Sequence, residues 1–117
     1  MSAAAETWVR VCALDRLEVE RGSAALLDQG LQVALFRLHD GSVHAVHNRD
    51  PFTGAYVMSR GIVGTREGRD VVASPMLKQS FDLRTGRCLD DGTAWLPVFP
   101  VRVVDGVVAV AAVPEPR

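Results

Sequence analysis

A chain of 117 residues has the length of one domain and can bury roughly two thirds of the surface that its unfolded form exposes. Its 48% hydrophobic content and formal net charge of -1 exclude a disordered tail, and nothing in that balance suits a nucleic-acid partner. No apolar run approaches the ~18 residues of a membrane span, and the start MSAAAETW lacks the basic head and apolar stretch of a secretory signal, so a cytoplasmic protein with no membrane partner is expected.

Residues 1–7 read as a frayed, Ala-rich lead-in, after which residues 8–12 alternate apolar with polar and read as a first strand. LDRLEVERG beyond it is a loop or one helical turn. Residues 24–27 and 31–38 are two strands separated by Asp28-Gln29-Gly30, a hairpin signal. Asp40-Gly41 then predicts a type I′ turn, whose two central positions need φ > 0, and residues 42–47 form the returning strand. Farther on, residues 61–65 and 69–74 read as a hairpin across Arg66-Glu67-Gly68, and residues 80–83 turn back at Arg84-Thr85-Gly86. The segment LDDGTAWLPVFP is too polar and proline-broken for a helix; Pro97 and Pro100 confine Val98-Phe99 to an edge or a link. Residues 101–104 and 107–110, rich in β-branched valine, pair across Asp105-Gly106, and 113–117 is a solvated tail. The sum is a single all-β domain over 1–117, a sandwich or partly open barrel with a small inserted β lobe at 48–88 and no internal repeat.

Two loops in that lobe are alike. VHNRDPFTGA (46–55) and VVASPMLKQSFDLRTGRC (71–88) each begin as a strand, turn at a proline (Pro51, Pro75) and return through small or polar residues. They carry no catalytic constellation: the chain has no Gly-x-Ser-x-Gly, no phosphate loop ending in Lys-Ser/Thr and no HExxH. Cys12 and Cys88 lie far apart and outside any CxxC, which leaves two readings open, two reduced thiols or one disulfide. His44 and His47 are three apart on a strand and so face opposite sides, while His39 sits beside a turn.

The strings NRxPxxGA and FDLRTG resemble the cluster-holding loops of Rieske [2Fe-2S] domains, and DPF, SRGIVG and SPxxKQxFxLxxGxC resemble the small subunit of assimilatory NAD(P)H-dependent nitrite reductase, a Rieske-like (ISP) domain lacking its [2Fe-2S] ligands. The resemblance places Asp50 and Phe52 where the first Cys and His ligands of a Rieske domain stand, and Ser74 and Leu77 where the second pair stands. A Rieske centre needs two thiolates on one iron and two imidazoles on the other, so no cofactor and no metal are expected in this chain. Phe52 and Leu77, with Met76 and Tyr56 close by, are expected to fill the vacated space as a dry plug. Asp50 and Ser74, each before a proline, are expected to bond nearby backbone N–H groups as turn residues do.

The resemblance further implies a non-catalytic subunit whose partner is the large nitrite reductase polypeptide, which carries FAD, a [4Fe-4S] cluster and sirohaem. Residues 49–87 hold seven basic side chains against four acidic, a net of +3, whereas the remainder nets -4. A basic lobe suits docking on an acidic patch. The candidate contacts are Arg49, Phe52, Tyr56, Arg60, Met76, Lys78 and Gln79. Two other readings are a redox carrier binding iron through Asp50, His47 and a partner's residues, and an interaction or electron-transfer module of another oxidoreductase such as a ring-hydroxylating system.

Overall fold

The structure is a computed structural model and describes residues 8–116; the expected lead-in over residues 1–7 and the end of the expected tail lie outside them. Ten strands follow one another: β1 Trp8–Ala13, β2 Gly22–Leu26, β3 Gln32–Arg37, β4 Val43–His47, β5 Ile62–Arg66, β6 Arg69–Ala73, β7 Ser80–Asp82, β8 Val98–Phe99, β9 Val101–Val104 and β10 Val107–Ala111. They form three antiparallel sheets, in the orders β1-β10-β9, β2-β3-β4-β8 and β5-β6-β7. Helical structure among the described residues is confined to short 3-10 turns at Leu14–Arg16, Asp28–Gly30 and Met58–Arg60. No helix is long and apolar enough to cross a membrane.

The second sheet is the middle layer, and β3 shows why. Successive side chains on a strand point to opposite faces. In QVALFR, Val33 and Leu35 join one apolar cluster, with Leu17, Leu27, Phe99, Val108 and Val110, between the middle sheet and β1-β10-β9. Ala34 and Phe36 join the other, with Met58, Val72, Phe81, Leu83 and Leu96, between the middle sheet and the lobe β5-β6-β7. Ala45 and Val46 on β4 divide the same way, as do Val98 and Phe99 on β8. Phe36 is fully buried, and burying a side chain of that size contributes about 2–3 kcal/mol. β8 lies at the edge of its sheet, the place that its flanking prolines allow.

Two hairpin turns are type I′: Glu67-Gly68 (φ 54° and 75°) between β5 and β6, one residue shorter than the expected Arg66-Glu67-Gly68 because Arg66 pairs with Arg69, and Asp105-Gly106 (φ 51° and 75°) between β9 and β10. The turn at Asp40-Gly41 is not. Only Gly41 is left-handed there (φ 87°), its N–H donates to Leu38 O at 3.0 Å, and Leu38 N–H donates to Ser42 O at 2.9 Å. The loop is one residue longer than a type I′ turn, and Asp40 Oδ1 holds it by accepting the Ser42 N–H (2.9 Å) and hydroxyl (2.5 Å). Cys12 and Cys88 are both free thiols.

Candidate functional site

Three six-residue loops of the lobe share one hydrogen-bonding pattern: DPFTGA (50–55), SPMLKQ (74–79) and DLRTGR (82–87). In each, the first residue donates its N–H to the carbonyl of the sixth (Asp50 to Ala55, 2.8 Å; Ser74 to Gln79, 2.9 Å; Asp82 to Arg87, 2.9 Å). The N–H of the fifth residue returns to the carbonyl of the first (Gly54 2.8 Å; Lys78 3.0 Å; Gly86 2.8 Å). That fifth residue is left-handed every time, with φ of 80°, 64° and 79°. The side chain of the first residue accepts the N–H two places on: Phe52 to Asp50 (2.7 Å), Met76 to Ser74 (3.2 Å) and Arg84 to Asp82 (2.7 Å). The expected turn-residue role of Asp50 and Ser74 is what the geometry shows. The third is the turn expected at Arg84-Thr85-Gly86, and its kinship with the other two is announced by the spacing D-x-x-T-G at both Asp50 and Asp82, which went unread.

The first two loops are joined at their first residues. Ser74 Oγ donates to Asp50 Oδ2 at 2.5 Å across 24 residues of sequence, and both side chains are buried. Asp50 thus has one oxygen on the backbone of its own loop and the other on the facing loop. The expected dry plug is not formed. Phe52 is 37% exposed, Tyr56 51%, Met76 50% and Leu77 58%, because the turns aim these side chains outward and the Asp50–Ser74 pair occupies the space between the loops. Phe52 keeps one inner contact, with the ring of the buried Phe81 at a centroid distance of 6.1 Å.

The four positions that align with cluster ligands do not fit a [2Fe-2S] group. Phe52 and Leu77 carry no donor atom, while Asp50 and Ser74 supply neither thiolate nor imidazole and are bonded to each other. Among the described residues no three His, Cys, Asp or Glu side chains are grouped to hold a metal ion.

The base of the first loop is anchored by Asn48, a buried residue that the sequence reading passed over. Its Oδ1 accepts Ser59 N–H (2.8 Å), its carbonyl accepts Met58 N–H (3.0 Å), and its Nδ2 reaches Gln32 Oε1 (3.2 Å) and Tyr56 O (3.4 Å). This ties the 3-10 turn that ends at Arg60 to the loop. Arg49 lies over Gly54, where a Cβ would stand 3.3 Å from its guanidinium.

Three of the seven cations of the lobe are ion-paired. Arg66 pairs with Asp90 (2.7 Å), Arg69 with Asp82 (2.9 Å), and Arg84 with Asp70 (3.1 Å) and Asp40 (3.5 Å). Burial works against ionised Asp82, but the Arg84 N–H, the Arg69 guanidinium and the Thr85 N–H outweigh it and hold the carboxyl below its ordinary range. Arg49, Arg60 and Lys78, which are exposed, pair with no carboxylate among the described residues. The structure therefore leaves three of the candidate contacts with unneutralised charge, and Phe52, Tyr56 and Met76 are exposed as well; Gln79 is partly buried, with its side-chain Oε1 enclosed and unpartnered.

Residues 7–111 match the family model of the Rieske-like [2Fe-2S] domain. The NADH nitrite reductase small subunit of Escherichia coli K12 is 41% identical over 102 residues, which cover 86% of this chain and 94% of that protein. A crystal structure of a Mycobacterium tuberculosis protein assigned as an NADH-dependent nitrite reductase small subunit superposes with a TM-score of 0.90 at 59% identity, covering 92% of this chain and 96% of that one. In the nitrite reductase [NAD(P)H] large subunit of Klebsiella oxytoca, a segment 40% identical over 101 residues covers 86% of this chain and 10% of that polypeptide.

Proposed function

The chain belongs to the Rieske-like [2Fe-2S] domain family, in its nitrite reductase small-subunit branch, and from that membership we propose that it is a non-catalytic subunit that docks on the large polypeptide of an NAD(P)H-dependent nitrite reductase. The observation that carries this reading is the Klebsiella oxytoca large subunit, in which the same domain is a segment of the nitrite reductase polypeptide itself. A module that works covalently attached in one protein has its binding partner in the rest of that protein. The FAD, the [4Fe-4S] cluster and the sirohaem reside on the large polypeptide, and the complex reduces nitrite to ammonium in the cytoplasm. This chain orients or stabilises the assembly.

The docking surface of this reading is the exposed face of the two joined loops. Exposed apolar side chains close together are a mark of protein contact surfaces, and Phe52, Tyr56, Met76 and Leu77 are such a set, with Arg49, Arg60 and Lys78 around them and Gln79 at the edge. The test is affinity purification of the tagged chain from its own cells grown on nitrate. Co-recovery of a large polypeptide with sirohaem and flavin absorption is the expected result. Recovery of a different oxidoreductase, or of the chain alone, overturns the assignment.

A further inference from the structure

The three sibling loops differ at one point. In the first and third, the threonine at the fourth place caps the N–H of the sixth residue: Ala55 N–H donates to Thr53 Oγ1 and Arg87 N–H to Thr85 Oγ1, each at 3.2 Å. The carboxylate at the first place also takes the threonine's own N–H, at 3.4 Å for Asp50 and 3.3 Å for Asp82. The second loop has Leu77 in place of threonine and Ser74, with its single oxygen already on Met76 N–H, in place of aspartate. The N–H groups of Leu77 and Gln79 consequently have no acceptor among the described residues. Backbone N–H groups with no acceptor in the protein are completed by water or by a ligand.

Between these two open donors stands Lys78, at the place that glycine fills in both sibling loops. An L residue at φ 64° is strained where glycine is not. The left-handed Glu67 and Asp105 sit in type I′ turns that demand such a φ in any case, whereas the loop geometry here is met by glycine twice over. The Lys78 N–H is turned back to Ser74 O, which leaves the Gln79 N–H as an open donor next to an ammonium that pairs with no carboxylate among the described residues. The carboxylate that ties the loops together, Asp50, is buried with its oxygens occupied.

We propose that the tip of the second loop is a carboxylate-binding site, in which an Asp or Glu side chain of the large nitrite reductase polypeptide takes the Gln79 N–H and faces the Lys78 ammonium. The partner's carboxylate fills the place that a threonine hydroxyl fills in the sibling loops. This rests on the small-subunit reading above and adds to it the chemistry of the contact.

Leu77→Thr supplies the missing cap from within the loop, and Leu77→Val is its isostere without the hydroxyl. Binding of each to the purified large polypeptide of the same organism is measured by calorimetry, with thermal unfolding of the free domain alongside. The Thr variant is expected to bind about tenfold or more weakly than the Val variant while melting no lower, since a charge-assisted bond lost is worth about that factor. Lys78→Gly, and Lys78→Asn as a second neutral residue tolerant of the left-handed region, are expected to bind about tenfold more weakly with a melting temperature unchanged or higher. Equal binding by the Thr and Val variants, or full binding by both Lys78 variants, overturns the carboxylate site and leaves the subunit assignment standing. Absence of binding by the unaltered chain overturns both.

Discussion

The Ser74 hydroxyl faces two ways, accepting the Met76 N–H and donating to Asp50 Oδ2. Without it a buried carboxylate oxygen has no donor, and such an orphan costs about 1–3 kcal/mol. Ser74→Ala is expected to lower the urea-unfolding free energy by about 2 kcal/mol with an unchanged m-value. Asp50→Ala costs more, since Phe52 and Thr53 lose their acceptor as well. The double variant costs less than the sum, and strict additivity would mean that the two loops are held independently. Glycines separate conformational strain from lack of space. At Gly86 (φ 79°) a Cβ would overlap the Leu96 carbonyl, whereas at Gly106 (φ 75°) it meets nothing within 4 Å. Gly106→Ala is expected to cost about 1 kcal/mol and Gly86→Ala several-fold more, read as melting temperatures. Equal losses would contradict the close approach of Leu96.

At the scale of elements, β4 carries the pH dependence. Burial pushes the His44 imidazole below its ordinary value of 6.5, with Arg84 acting the same way and Asp40, Asp70 and Asp82 opposing. Burial, seconded by Arg49, does the same to His47. A lowered folded pKa means that the unfolded chain binds more protons once the pH drops below about 6.5, so the stability present above that value declines as the pH falls through it. The urea midpoint is expected to be lower at pH 5 than at pH 7.5, and the difference is expected to shrink in a His44→Gln, His47→Gln variant; a flat midpoint for the unaltered chain would sink the argument. The strands and hairpins were legible in the sequence because alternation and Gly-containing turns are local signals. That β3 serves two cores was not, since VALF is apolar on both faces and has no period to read. The dry plug failed for a related reason: hydrophobicity tells what Phe52 and Leu77 are, while the direction of a side chain in a turn is set by backbone bonds to Asp50 and Ser74. The Asp50–Ser74 contact spans 24 residues, beyond any local pattern, whereas the D-x-x-T-G spacing stood in plain view.

The whole molecule is electrically lopsided, with +3 on residues 49–87 and -4 on the rest. The lobe is also firmly seated, since Phe36 and Val46 of the middle sheet pack with Val72 and Phe81 of the lobe in one buried cluster. A rigid lobe presents its tips without first ordering them, so its charge acts mainly on encounter, and charge complementarity of that kind sets the association rate more than the lifetime of the complex. The association rate with the large polypeptide is therefore expected to fall about tenfold between roughly 0.05 M and 0.5 M salt, while the dissociation rate changes little. Arg60→Glu with Lys78→Glu is expected to reproduce that fall at low salt and to leave the melting temperature unchanged, because neither cation has an ion pair to lose within the described fold. Association that ignores both salt and charge reversal would take the basic lobe out of the docking step and leave the apolar tips, Phe52, Met76 and Leu77, to account for it.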